Sequence, residues 1–514
     1  MLSQLLSTKS IDKLLAGAEE PEHRLRKTLG PWSLTALGVG AIIGTGIFIL
    51  TGTAAAGEVV KVQSILKAPL MDVLLHGHNA VGIAGRPGAG PAIALSFFLV
   101  AIACALAGLC YAELASMIPI AGSAYTYSYA TLGEILAWII GWDLILEYAV
   151  SNMAVAVGFS AYIDSLLQGF GLHLPRQFAE PFIVAGQRTG AWFNLPGFLV
   201  VMILTVVLVR GIRESAGANN LMVTVKLVAI FIFIVAASRY IRVSNWKPFM
   251  PNGWQGVMTG GAIVFFTYIG FDSVSTAAEE CRNPQRDVPF GIIASLIICT
   301  TLYCSVAVVL TGIQHWQTLR NAAPVANALE AIGLTHVERW VTVGALTGML
   351  SSLLVYQLGQ ARVWYSMSRD GMLPKVFSRV HPRFRTPHIS TWVAGFFVAI
   401  PAGMFDIGTL ADLSNIGTLF AFVLVSLGVL VLRRKQPERR RAFRTPWVPF
   451  LPIASVMCCL ILMASLPVET WLRFVVWLLI GLTIYFLYSR HHSEFGRAPR
   501  DSVVANRPPQ HVVP

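Results

Sequence analysis

Long apolar runs separated by short polar stretches dominate this chain from end to end. Most runs hold about 20 residues, enough for a helix to cross the hydrocarbon of a bilayer. Twelve are read, at residues 34–56, 91–117, 133–164, 193–211, 219–238, 257–279, 288–313, 335–361, 389–405, 411–432, 447–467 and 470–489. A backbone in hydrocarbon must satisfy its own polar groups, so the pattern predicts an all-α polytopic membrane protein with 12 transmembrane helices. Two runs carry an irregularity. The first holds "GVGAIIGTGIFIL", with Gly38, Gly40, Gly44 and Gly46 close together in uncharged surroundings. The sixth reads "GGAIVFFTYIGFDSVSTAAEE", with Gly270 in mid-run and polar Thr267 and Asp272 beside it.

Composition agrees with the membrane reading. The 514 residues are 55% hydrophobic and only 12% charged, about half the charged share of a soluble protein. The net charge of +12 fits a bias of Lys and Arg toward cytoplasmic loops better than it fits nucleic acid. With the N-terminus inside, the inner loops hold more than twice the Lys and Arg of the outer ones. "RDGMLPKVFSRVHPRFRTPH" and "RRKQPERRRAFRTP" carry most of that bias. Both termini are therefore expected in the cytoplasm, with the protein multi-pass in the inner or plasma membrane. The first 33 residues are polar and show no secretory signal. Most of the seven cysteines sit inside apolar runs without metal-finger spacing, and read as small buried side chains. His76 and His78 lack a third ligand nearby, so no metal and no cofactor is expected. Residues 57–90 are polar to mixed, and "VQSILKAPLMDVLL" within them suits a short amphipathic helix.

The two irregular runs answer to one physical idea. Glycine is unfavourable inside a helix by about 1 kcal/mol, yet it permits the backbone to unwind. Unwound backbone is tolerated at membrane depth where it lines a cavity or is buried in protein. The break exposes amides at the start of one half-helix and carbonyls at the end of the other. Amides suit a carboxylate and carbonyls an ammonium group, and a zwitterionic amino acid presents both. Glycine for close helix packing is the competing account of the first run alone. Interrupted segments at corresponding positions of two halves point instead to a transport site between inverted repeats.

Four stretches then carry a resemblance: "GVGAIIGTGIFIL", "YAELASMIPIAGSAYTYSYATLGE" (111–134), "FFTYIGFDSVSTAAEECRNPQRDVPFGI" (265–292) and "ARVWYSMSRDGMLP" (361–374). From about residue 30 to 490 the chain resembles the amino acid–polyamine–organocation transporter superfamily, most of all the bacterial relatives of the cationic amino acid transporters. The resemblance implies a LeuT-type fold of 5+5 inverted repeats with two additional C-terminal helices. It divides the chain into an N-tail (1–33), a first repeat (34–238), a second repeat (257–432), two further spans (447–489) and a C-tail (490–514). Residues 58–90 look like an insertion, because "AAAG" (54–57) would normally run almost directly into "GPAIALSF" (90–97).

Carried over residue by residue, the resemblance implies that a substrate carboxylate meets the amides of Gly44, Thr45 and Gly46. The ammonium would meet carbonyls near Ala41 and Ile42 and those of Phe266, Thr267 and Ile269. Phe266 either caps the pocket as a gate or packs as an ordinary membrane phenylalanine. Lys226, in "NNLMVTVKLVAIFIFIVA", lies about eight residues into its span, roughly 12 Å of helix and near the limit of a lysine's reach to the surface. A charged lysine there is costly unless paired, wet or neutral. The resemblance implies a proton-dependent role, bracing span one against span eight when protonated and releasing it when not; a fixed replacement for a cation is the alternative. Asp143 and Glu147 share a helix face. Glu147 either sets a preference for cationic side chains or pairs within the bundle. Asp272 would bond exposed amides or a neighbouring span, Glu113 would be structural, and Glu279, Glu280, Arg282 and Arg286 would form a gate network or a charged loop. Met349 would join Phe266 and Ile269 in an apolar lining suited to small neutral side chains.

The reading is a secondary transporter of neutral or cationic L-amino acids in a lipid bilayer, proton-coupled, with the proton gradient as its energy source. An amino acid/amine exchanger is the alternative within transport, and a non-transporting sensor of the same fold is another. The chain has no zinc helix motif, no phosphate loop and no Ser/His/Asp set at one depth, so it is not read as an enzyme.

Overall fold

The computed structural model describes residues 2–18, 29–58, 64–77, 86–120, 122–184, 187–210, 215–321, 323–384 and 386–497. Its principal helices are α1 (Pro31–Ile42), α2 (Gly46–Ala56), α3 (Ile93–Met117), α4 (Glu134–Gly169), α5 (Leu195–Arg210), α6 (Ser215–Ser238) and α7 (Gly253–Val264). They continue with α8 (Pro284–Ile313), α9 (Thr335–Arg369), α10 (His388–Met404), α11 (Ile407–Lys435), α12 (Phe450–Ala464) and α13 (Val468–Ile484). Among the described residues, eight helices are long and apolar enough to cross a bilayer, and the bent pair α1–α2 makes a ninth. The apolar helices α5, α10 and α12 are shorter.

Helix limits follow local chemistry. Proline opens α1 and α8 at their first turn, where its missing N–H has no partner to lose. Two helices outrun their apolar runs: α4 ends at Gly169 rather than 164, and α9 at Arg369 rather than 361. Hydropathy registers only what faces hydrocarbon, whereas a helix continues into polar residues such as Asp164 and Gln168 as long as its backbone bonds persist.

The interior is one continuous apolar core. Its central helices are α4 and α9, which pack on each other, while α4 also packs on α11 and α9 on α6. Both described ends of the chain meet at one end of the bundle. Lys9 pairs there with Asp370 at 3.0 Å and Glu494 at 2.8 Å, and Gln4 donates to the Arg490 carbonyl. Glu280 pairs with Arg362, and Leu29 and Glu280 share a backbone bond. Glu113 takes Arg433 and Arg441 at 2.8 and 3.1 Å, the structural role expected of it. Glu279's side chain lies outside what the structure describes, as does His78.

Chain between residues 57 and 90 closes the opposite end. A short helix, Leu70–His76, forms within it. Gly57–Glu58 pairs antiparallel with Arg86–Pro87. Buried Arg86 reaches Asp412 of α11 at 2.7 Å and Glu58 at 3.6 Å. Arg320 donates to the carbonyls of Ala56 and Gly57, and Lys67 and Arg473 both pair with Glu469.

Candidate functional site: two broken spans in contact

The α1–α2 pair bends by 43° at its break. The last turn of α1 ends with Ile43 in an extended conformation, and α2 starts with a π-helical turn at Gly46–Leu50. The second break follows α7: a tight turn at Phe265–Tyr268, extended Ile269, then Gly270 at φ +117°, a conformation that favours glycine.

The breaks touch. A methyl group at Gly46 would lie 2.6 Å from Thr267 Cγ2 and 2.8 Å from its Cα. One at Gly270 would lie 2.8 Å from Ala41 Cβ, and one at Gly44 would lie 2.6 Å from Ser352 Oγ. The glycines therefore do two things: they permit the breaks, and they let two broken spans and α9 approach closer than any side chain allows.

The polar groups freed at the breaks are held by buried hydroxyls and one amine. Lys226 is fully buried. Its Nζ donates to the carbonyls of Gly40 (2.8 Å) and Ile43 (2.7 Å) and to Ser351 Oγ (2.9 Å). The side chain does not snorkel; it joins the end of α1 to α9. Ser352 donates across the same gap, toward the carbonyls of Gly40, Ala41 and Ile43. Tyr303 of α8 sits 2.8 Å from both the Ile42 and Thr267 carbonyls, and Tyr356 of α9 donates to Ile269 at 2.7 Å.

The carbonyls expected to meet an ammonium group thus bond protein in this conformation. Ala41 has Ser352, Ile42 and Thr267 share Tyr303, Phe266 has the Ile269 amide at 3.3 Å, and Ile269 has Tyr356. Each carbonyl oxygen has two lone pairs, so these bonds leave an acceptor position. Among the three amides, Gly44 N–H is spent on Ile42 O at 3.1 Å. Those of Thr45 and Gly46 open α2, where a helix's first turn leaves donors without intrahelical partners. Phe266, Thr267 and Met349 are buried in the core.

A cavity of about 480 Å³ approaches the first break from the end opposite the termini, lined by Ile49, Thr53, Val157 and Gly158, then Asp164 and Arg176 nearer its mouth. Gly158 is packed directly on Thr45. One residue layer therefore separates this cavity from the break.

Sequence reasoning missed the hydroxyl set: Tyr303, Tyr356, Ser351 and Ser352. The pair Ser351–Ser352 in the middle of an apolar run was the available signal. Asp143, Glu147 and Asp272 are all buried, and Glu147 forms no ion pair among the described residues. Among the described residues no three His, Cys, Asp or Glu side chains converge to hold a metal.

Comparison with known proteins adds to this geometry. The amino acid permease family profile matches residues 29–488. The methylthioribose transporter of Bacillus subtilis (strain 168) is 45% identical over 96% of this chain and 99% of its own. The branched-chain amino acid permease BcaP of the same organism is 45% identical over 97% and 100%. The vacuolar cationic amino acid transporter 4 of Arabidopsis thaliana is 36% identical over 85% and 68%.

Proposed function

The chain belongs to the amino acid permease family, and from that premise we propose that it is a proton-driven secondary transporter of small apolar amino acids working by alternating access. The observation that carries this reading is Lys226, a buried amine tying the end of one half-helix to α9. In this reading residues 34–238 and 257–432 are two inverted five-helix repeats, 447–489 adds two spans, and the total is twelve. The end that gathers residues 2–18 faces the cytoplasm. The substrate carboxylate meets the Thr45 and Gly46 amides, and its ammonium takes free lone pairs at the Ile42 and Thr267 carbonyls.

An apolar side chain suits the surroundings of the breaks, where Val155, Phe266 and Ile269 are buried. The BcaP relative supports branched-chain amino acids. A second reading, methylthioribose, is favoured by a relative of equal identity; a methylthio group is also small and uncharged. Proteoliposomes decide between them. Labelled leucine, valine, arginine and methylthioribose are offered outside, with and without an inward proton gradient. Proton-stimulated leucine uptake supports the proposal. Uptake that ignores the gradient and needs internal amino acid makes the protein an exchanger.

A further inference from the structure

A row of buried acids lies outside the site built above. Asp143 and Glu147 stand one turn apart on α4, and Asp272 follows the second break. Asp272 and Asp143 both act electrostatically on Glu147. All three are at most 2% exposed. Among the described residues no donor meets either oxygen of Asp143 or Asp272 Oδ1, and Glu147 has only the Thr418 hydroxyl beside it.

Hydroxyls, not cations, face this row. Tyr148 on α4 donates to Asp272 Oδ2 at 3.0 Å. Tyr111 on α3 lies against Asp272, Glu147 and Tyr127, and its fully buried hydroxyl has no partner within bonding distance. Tyr356 faces the row from α9, and Thr418 of α11 lies beside Glu147. A methyl at Gly417 of α11 would sit 2.7 Å from Asp143 Oδ1. None of the three acids takes part in an ion pair among the described residues.

Three neighbouring anions in such surroundings are untenable. A buried charge without a partner is strongly unfavourable, and like charges add to it. We propose that Asp143, Glu147 and Asp272 form a proton-holding site, separate from Lys226, in which Asp143 and Glu147 are neutral acids and Asp272 carries the negative charge.

The division follows from hydrogen bonding. Asp272 is the member served by donors: the Tyr148 hydroxyl and backbone amides at Gly270 and Ser273. An anion is stabilised by such donors. Among the described residues Asp143 has none and Glu147 only the Thr418 hydroxyl, so both are more stable as neutral acids. Asp272 also belongs to the segment that turns on Gly270. A coupling role for these protons rests on the transporter reading; their presence does not.

Infrared spectra of the purified protein at neutral pH test the proposal. A protonated carboxyl has its own carbonyl stretch, which shifts in D2O. The expected result is such a band, weakened in Glu147→Gln and again in Asp143→Asn, and unchanged in Lys226→Met. Absence of the band from the unsubstituted protein overturns the proposal without requiring any variant to fold. A band of full strength in both acid variants also overturns it. So does a rise in melting temperature on adding sodium or potassium that Glu147→Gln abolishes, which would make the row a cation site. Should Lys226→Met keep gradient-driven uptake while the band persists, the coupling assigned to Lys226 fails and the acid row stands.

Discussion

Replacing Lys226 by methionine tests the link between a proton and the fold. Three hydrogen bonds connect its Nζ to α1 and α9. A bond from a charged donor contributes about 1.5–3 kcal/mol and one from a neutral donor about 0.5–1.5. Losing the proton leaves two N–H donors and a lone pair to which Ser351 Oγ–H can turn, and weakens each contact by about 1 kcal/mol, or about 3 kcal/mol for the three. At 1.36 kcal/mol per tenfold, that moves the balance between joined and parted α1 and α9 by about 150-fold. Methionine fills similar space and donates nothing, so it fixes the balance in the released arrangement. It also removes a buried ammonium group whose desolvation is unfavourable. The melting temperature should thus stay within a few degrees, while proton-stimulated leucine uptake into proteoliposomes falls by about 150-fold on the same bond arithmetic. The sign is fixed: acidifying the outside stimulates uptake by the unsubstituted protein and has no effect on Lys226→Met. A variant that folds, binds leucine and still responds to the gradient refutes the reasoning.

Three further outcomes are expected. Gly46→Ala forces its methyl against Thr267, and such overpacking is unfavourable by about 1–3 kcal/mol; uptake should be lost, and Thr267→Ser in the same chain should restore part of it, which a double-mutant cycle of uptake rates measures. Arg86→Ala strips partly buried Asp412 of its partner, an effect at or below the about 3–5 kcal/mol of a broken buried pair; thermal unfolding in detergent should show a drop, and Arg86→Met with Asp412→Leu should recover most of it. At Lys9, burial acts to lower the pKa, but Asp370 and Glu494 outweigh it and the net shift is upward. The contact is then fully present below the ordinary lysine value of about 10.4 and is lost only as pH rises through the higher folded value. Hydrogen-exchange protection at residues 4–14, taken relative to the unstructured rate at each pH, should accordingly stay constant through neutral pH and fall in Lys9→Ala.

The sequence alone determined the membrane class, because a run of about twenty apolar residues has no other economical solution than a spanning helix. It also determined where the backbone breaks: Gly44–Thr45–Gly46 and Gly270 are local features, and their conformational freedom is written in the residue type. Lys226 stood out for the same reason, as a charge where charge is unfavourable. What it bonds was not legible. Gly40 and Ile43 are nearly two hundred positions away in the chain, and Ser351 lies on a third helix. Only packing of α1, α6 and α9 decided that the lysine turns inward instead of snorkelling. Tertiary structure likewise selected the hydroxyls of Tyr303, Tyr356 and Ser352 as holders of the freed carbonyls, out of many polar side chains scattered along apolar runs. It made Asp143, Glu147 and Asp272 neighbours without giving any of them a cation. A helical period places Asp143 beside Glu147, but no local pattern brings Asp272 from the second broken span, because that contact exists only when this break is folded against α4.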